Sequence, residues 1–165
     1  MADLRRLTII SGGQTGADRE ALDFAMEHGI PNGGWCPRGR HAEDGAIGSQ
    51  YDLRETPSRR YSQRTEWNVR DSDATVAFTI APRLSGGTAL AVHCARRLGK
   101  PSLHLSRDAL AAAGDMDAAS AAALELLQFL DEHQVKTLNV AGPRASQDPE
   151  VIEFVRRVLR SAMGE

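Results

Sequence analysis

Three short segments rich in glycine and small polar residues carry the chemistry legible in this chain. They are Ser11-Gly-Gly-Gln-Thr-Gly-Ala-Asp18, Ser85-Gly-Gly-Thr88 and Ala141-Gly-Pro-Arg144. Each follows an apolar run and precedes a stretch of helical periodicity. A helix N-terminus offers unpaired N–H groups and a positive dipole end, and glycine lets a ligand approach the backbone closely. One such turn is ordinary in an α/β protein. Three turns converging on one crevice predict an anionic ligand, phosphate above all. Gly12, Gly13, Gly16, Gly86, Gly87 and Gly142 would provide the close approach. Gln14, Thr15 and Thr88 would add amide and hydroxyl contacts, and Arg38, Arg40 and Arg144 would add charge.

The turns do not match the common phosphate loops. Walker A requires GxxxxGK[ST], yet Ala17 stands five residues after Gly12 and no lysine follows. The dinucleotide fingerprint GxGxxG fails at Gln14. The acid that would bind a ribose hydroxyl after the second strand is replaced by Trp35-Cys-Pro-Arg-Gly-Arg40. A P-loop ATPase and an ordinary NAD dehydrogenase are therefore disfavoured.

Two carboxylates are candidates for catalysis, Asp18 and Glu66. Asp18 opens the first helix, where the dipole favours it, and could meet a ribose, another polar ligand edge or a metal held by the ligand's phosphates. Glu66 lies in the polar segment Arg64-Thr-Glu-Trp-Asn-Val-Arg-Asp-Ser-Asp73, just before a core strand. On a helix Arg64, Asn68 and Asp71 share a face, so Asn68 and Asp71 join the candidate ligand contacts. Glu66 serves as general acid or base if burial raises its pKa. The five histidines show no ligand spacing, Cys36 and Cys94 form no CxxC, and no protein-held metal is expected. Ser11 and Ser85 lack a nucleophile elbow.

The elements that must position these residues alternate. Strands are expected at Leu7–Ser11, around Trp35, at Ala74–Ile80, Ser102–Leu105 and Lys136–Val140. Helices are expected from Ala17 to His28, Ser58 to Asp71, after Ser85, from Met116 to His133 and after Asp148-Pro149. The Ala109–Ala123 stretch is helix-forming. The pattern means a single-domain α/β/α sandwich with a mainly parallel sheet, and ligands bind beyond the carboxyl ends of its strands. An irregular loop over about 37–56 is longer than usual, which marks it as functional or mobile.

Composition narrows the classes further. With 165 residues, one domain spans the chain. A net charge of −2 and 5% aromatics argue against a nucleic-acid coat or a base-stacking platform. No apolar run approaches the ~18 residues a membrane span needs, and none near the N-terminus suits a signal peptide. A cytoplasmic location with reduced thiols is expected, as is a homo-oligomer.

Four motifs in order resemble a known family: Ile9-Ile-Ser-Gly-Gly-Gln-Thr-Gly-Ala-Asp-Arg19, Gly34-Trp-Cys-Pro-Arg-Gly-Arg40 with Ala42-Glu-Asp-Gly45, Thr65–Asp73 and Ser85-Gly-Gly-Thr88. They look like the proteins that carry the name molybdenum carrier, the circularly permuted YpsA family of the SLOG superfamily. The resemblance covers residues 7 to 160. It implies a Rossmann-like sheet and a nucleotide or nucleotide-derived ligand, bound through the glycine loops, Asp18 and the Glu66/Asn68/Asp71 cluster. Some relatives are enzymes. The LOG branch cleaves the N-glycosidic bond of cytokinin nucleotides with a loop of roughly GGxGTxxE. Here Gly86-Gly-Thr-Ala-Leu-Ala91 is one residue shorter and lacks that glutamate. Three readings follow: a binder of a phosphate-bearing nucleotide-like molecule, a hydrolase of an N-glycosidic bond, and, by family name alone, a carrier of molybdenum cofactor, which itself bears a phosphate.

Overall fold

The computed structural model describes residues 1–165. A 3-10 turn at Leu4–Arg6 leads into β1 (Thr8–Ile10), α1 (Ala17–Glu27) and β2 (Asn32–Gly33). Four two-residue strands follow: β3 (Trp35–Cys36), β4 (His41–Ala42), β5 (Gly45–Ala46) and β6 (Arg54–Glu55). Then come α2 (Tyr61–Arg70), β7 (Ala74–Thr79), α3 (Gly86–Arg97), β8 (Ser102–Ser106), α4 (Arg107–Ala113), α5 (Ala118–Glu132), β9 (Thr137–Ala141) and α6 (Glu150–Ala162).

The central sheet is parallel throughout, in the order β2-β1-β9-β7-β8. Every residue of β7 is buried, as a parallel strand covered on both faces requires. Numbered along the chain, the central strands run 2-1-5-3-4. Moving the last strand to first place turns this into 3-2-1-4-5, the doubly wound order. The switch point, where loops leave toward opposite faces, therefore lies between β9 and β7.

The two faces are filled differently. The main core joins α1, α5 and α6 to the sheet through Phe24, Leu126, Leu130, Phe154 and Val158 against Ile9, Phe78 and Leu138. On the other face α2 packs on α3, and Val69, Ala91, Cys94, Ala95 and Ala141 form a small cluster. These small side chains let α3 lie close to the sheet, so its N-terminus faces the crevice.

Three expectations change in detail. The sheet edge is Asn32–Gly33, not the strand at Trp35, which pairs instead with Arg54–Glu55. Asn32 and Gly33 show no strand signal because their pairing is made by the backbone alone, with Ser11 N–H bonding the Gly33 carbonyl at 3.1 Å. The 37–56 segment is not irregular: two small ladders shape it, and Cys36, Ala42, Ile47, Tyr51 and Leu53 pack on Leu22 of α1. We call it the flap. The alanine-rich stretch is two helices, broken at Gly114 and restarted where Asp117 accepts from the Ala119 and Ser120 N–H groups. No helix is long and apolar enough to cross a membrane.

Candidate functional site

A mostly polar cleft of about 120 Å³ opens at the carboxyl end of the sheet, at the switch point. Its walls come from the loop after β1 (Gly12, Gln14), the first turn of α1 (Asp18), the start of α3 (Gly86, Gly87, Thr88), the loop after β9 (Gly142, Arg144, Gln147) and one face of α2 (Arg64, Thr65, Asn68). Asn139 and Ala91 also line it. The three glycine-bearing turns thus converge on one space.

The start of α3 supplies the main anion-binding feature. Ser85 precedes it in extended conformation and makes no side-chain capping bond. The amides of Gly86, Gly87 and Thr88 are left without a cap, and a Cβ at Gly86 or Gly87 would meet nothing within 4 Å. Backbone donors and the dipole end of a 12-residue helix therefore face open space.

Gln14 gives a second, independent indication. Its side chain is 4% exposed, and its Nε2 is a buried donor without a partner. Its Oε1 accepts from the Thr15 N–H at 3.1 Å and the Glu43 N–H at 2.9 Å. Leaving a buried donor unmatched costs about 1–3 kcal/mol, a cost that an acceptor oxygen in the cleft would offset.

Asp18 and Arg64 form the buried ionic pair of the cleft, 3.8 Å apart. Burial pushes the Asp18 carboxyl up. The Arg64 guanidinium and N–H bonds from Gln14 and Gly12 pull it back in part, so the net shift is upward. Arg64 also donates to the Gly12 carbonyl at 2.8 Å and lies 5.2 Å from the Tyr61 ring centre. Arg144 sits against the same ring at 5.3 Å. Two guanidiniums and a helix N-terminus outweigh one carboxylate, so the cleft favours anions.

Of the first loop only Gly12, Gln14 and Asp18 line the cleft. Gly13 faces Leu53 and Ile47 of the flap, and Gly16 packs where a Cβ would fall 2.3 Å from the Pro143 carbonyl. Thr15 donates to Glu43 and accepts from the Ala145 N–H at 3.1 Å. Arg40 is bound inside the flap, donating to the carbonyls of Ile47, Gly48, Tyr51 and Leu53. Arg38 is exposed and outside the cleft. Asn68 reaches the cleft while its amide bonds both backbone groups of Trp35, at 2.8 and 3.0 Å. Asp71 accepts from the Trp35 indole at 2.7 Å and pairs with Arg70, away from the cleft. Glu66 also lies outside it, near Cys94 of α3, whose thiol is pushed up first by burial and then by the Glu66 charge.

Sequence reasoning passed over Asn139, Gln147 and the role of Arg64. A polar residue within the apolar run Thr-Leu-Asn-Val-Ala was the available signal for Asn139. Glu43 was missed too. Its carboxylate takes the Thr15 hydroxyl, the Ser146 hydroxyl and the Ser146 N–H, the last at 3.1 Å. Beside it Asp44 pairs with Arg19.

This latch should be sensitive to acid. Hydrogen bonds from Ser146 and Thr15 hold Glu43 below its ordinary value, and Arg19 does the same for Asp44. Carboxyls lowered in the folded state stabilise it above their unfolded values and lose that contribution as pH falls through the folded ones. Proteolytic nicking within residues 40–50 is expected to be slow at neutral pH and to accelerate below about pH 4 with the sheet intact. An acid-stable protease and far-UV dichroism check this; unchanged nicking would contradict it.

The comparisons agree with this architecture. Residues 9–163 match the model of the family described as "Circularly permutated YpsA SLOG family". The chain is similar to a protein from Syntrophus aciditrophicus SB whose crystal structure bears the name "Putative molybdenum carrier protein". Identity is 42%, 98% of each chain is covered, and the TM-score is 0.90. Comparison with curated proteins gave no match.

Proposed function

Because the chain belongs to the circularly permuted YpsA family of SLOG proteins, and its last strand stands where a doubly wound sheet has its first, we propose that the switch-point cleft binds a phosphate-bearing nucleotide or nucleotide-derived molecule. The observation that carries this reading is the uncapped, glycine-lined start of α3, in a cleft that Gln14, with its unpartnered amide, also lines. The phosphate takes the Gly86–Thr88 amides, and Arg144 closes on its outer oxygens. Asp18, across the cleft, accepts from hydroxyls of the attached sugar or from a polar ring edge.

The molybdenum name belongs to the Syntrophus relative. The cleft's donors are N–H groups and guanidiniums, and no cluster of three or more His, Cys, Asp or Glu exists that could hold a metal. Such donors fit the phosphate of a pterin cofactor or an oxyanion, not direct ligation of the metal. Calorimetry with AMP, nucleotide sugars, molybdate and molybdopterin compounds, against sulfate, is expected to show a phosphate ester bound more tightly than sulfate. No ligand exceeding sulfate would overturn the proposal.

One observation favours a hydrolytic reading of the same cleft: the raised pKa of buried Asp18 suits a general acid or base. Asp18, not Glu66, would then be the acid or base, since Glu66 is outside the cleft and α3 places Ala91 within it. Release of free base from AMP would appear in the wild type, persist in Glu66→Gln and vanish in Asp18→Asn. Equal release from wild type and Asp18→Asn would reject it.

A further inference from the structure

We propose that the flap is a working part of the cleft, coupled to it through Gln14, and that Glu43 is the residue that positions the Gln14 donor. The inference rests on the reading of the cleft as a site for a phosphate-bearing ligand.

The Gln14 amide has two sides with two roles. Two N–H groups, of Thr15 and of Glu43 in the flap, converge on one side, so only the oxygen fits there. The nitrogen must then face the other way, and it is the buried donor without a partner in a residue that lines the cleft. The orientation of that donor depends on the flap being in place.

The flap is tied to the same loops that build the cleft. The Glu43 carboxylate joins the Thr15 hydroxyl of the β1 loop to the Ser146 amide and hydroxyl of the β9 loop. Arg19 holds Asp44 and also donates to the Gly13 carbonyl at 3.1 Å. Gly13 packs on Leu53 and Ile47, and the Tyr51 hydroxyl donates to Asp23 of α1 at 2.6 Å. Lifting the flap removes one of the two bonds that orient Gln14. An oxygen acceptor in the cleft binds the latched state better, and by reciprocity it holds the flap down.

The test uses the whole chain with AMP and inorganic phosphate as probes, read by calorimetry and hydrogen exchange. In the wild type AMP should slow exchange of the amides at residues 40–55. Glu43→Ala, which alters no group lining the cleft, should weaken AMP binding about tenfold and abolish that slowing, whereas Glu43→Gln should restore part of both. Gln14→Glu separates the two functions. Its carboxylate still accepts both N–H groups, so flap exchange without ligand rises less than in Gln14→Leu. Its second oxygen replaces a donor with an acceptor, so AMP binding falls more than tenfold. Wild-type affinity in Glu43→Ala, or flap exchange indifferent to bound AMP, would overturn the coupling. If the wild type binds neither probe, the ligand reading is what fails. The coupling is then judged without ligand: Gln14→Leu must speed exchange in the flap several-fold, and unchanged exchange refutes it.

Discussion

A Gly87→Asp variant is expected to lose the cleft's affinity for AMP and inorganic phosphate by at least a hundredfold while its melting temperature stays level or rises. The two effects have separate causes. Gly87 has no left-handed backbone, and a Cβ placed on it meets nothing within 4 Å, so a side chain enters without strain. It projects into the space assigned to the phosphate and brings a carboxylate to compete for the same amides. A hundredfold loss corresponds to about 2.7 kcal/mol. Meanwhile aspartate is about 0.3 kcal/mol better than glycine within a helix. An acid in the first turn gains a further ~0.3–1 kcal/mol from the dipole. Lost binding with retained or raised stability therefore points to the start of α3 specifically. Substitutions in the first loop cannot separate the effects, since a Cβ at Gly13 would fall 2.5 Å from Leu53 and one at Gly16 2.3 Å from the Pro143 carbonyl. Undiminished phosphate affinity in Gly87→Asp, measured by calorimetry beside a thermal melt, would remove α3 from the site.

What the sequence made legible follows from how each signal arises. Apolar runs such as Ala74–Thr79 announce buried strands because both faces need apolar side chains, and the alternation with helical stripes fixes a parallel sheet. Glycine pairs at strand ends pointed to the cleft, and Gly12, Gly86, Gly87 and Gly142 line it. The same reasoning could not sort the other glycines or arginines. Gly13 and Gly16 are small because other chain segments press on them, and Arg40 is spent on four carbonyls of the flap. A sequence shows that an arginine is present but not which carbonyls surround it. Glu66 and Asp71 lie outside the cleft for a related reason. The cleft-facing side of α2 is the stripe of Arg64, Thr65 and Asn68, whereas Asp71 has passed the helix end and turns back to Trp35. The flap looked structureless because its strands are two residues each, too short for any periodicity to register.

The permuted strand order has a consequence for assembly of the site. The cleft takes walls from both ends of the chain, since residues 12–18 follow β1 and residues 142–147 follow β9. β9 lies between β1 and β7, so it alone joins the two halves of the sheet. Beyond it the Ala145 amide donates to Thr15, and the Ser146 amide and hydroxyl donate to Glu43 of the flap. Cleft and flap thus share the segment that follows the final strand.

Arg64→Met should be the most destabilising single change in the cleft, lowering the melting temperature on the order of 10 °C at neutral pH. Arg64 and Asp18 are each 8% exposed, and the guanidinium is the charge that faces the Asp18 carboxylate. Removing one partner of a buried pair costs about 3–5 kcal/mol, because the other charge is left without compensation. For a chain of this length each kcal/mol moves the melting temperature by about 2–4 °C. Burial already raises the Asp18 pKa, and losing Arg64 raises it further. A carboxyl raised in the folded state favours folding below its unfolded value and opposes it as pH climbs through the folded one. The deficit of Arg64→Met should therefore grow as pH rises and shrink as the medium is made acidic. Adding Asp18→Asn removes the stranded charge yet keeps an oxygen for the Gln14 and Gly12 N–H groups, so the double variant should recover much of the loss and its pH dependence. If the double variant melts no higher than Arg64→Met, or the deficit ignores pH, then Arg64 stabilises the cleft by covering Gly12 and Tyr61 and not by neutralising Asp18.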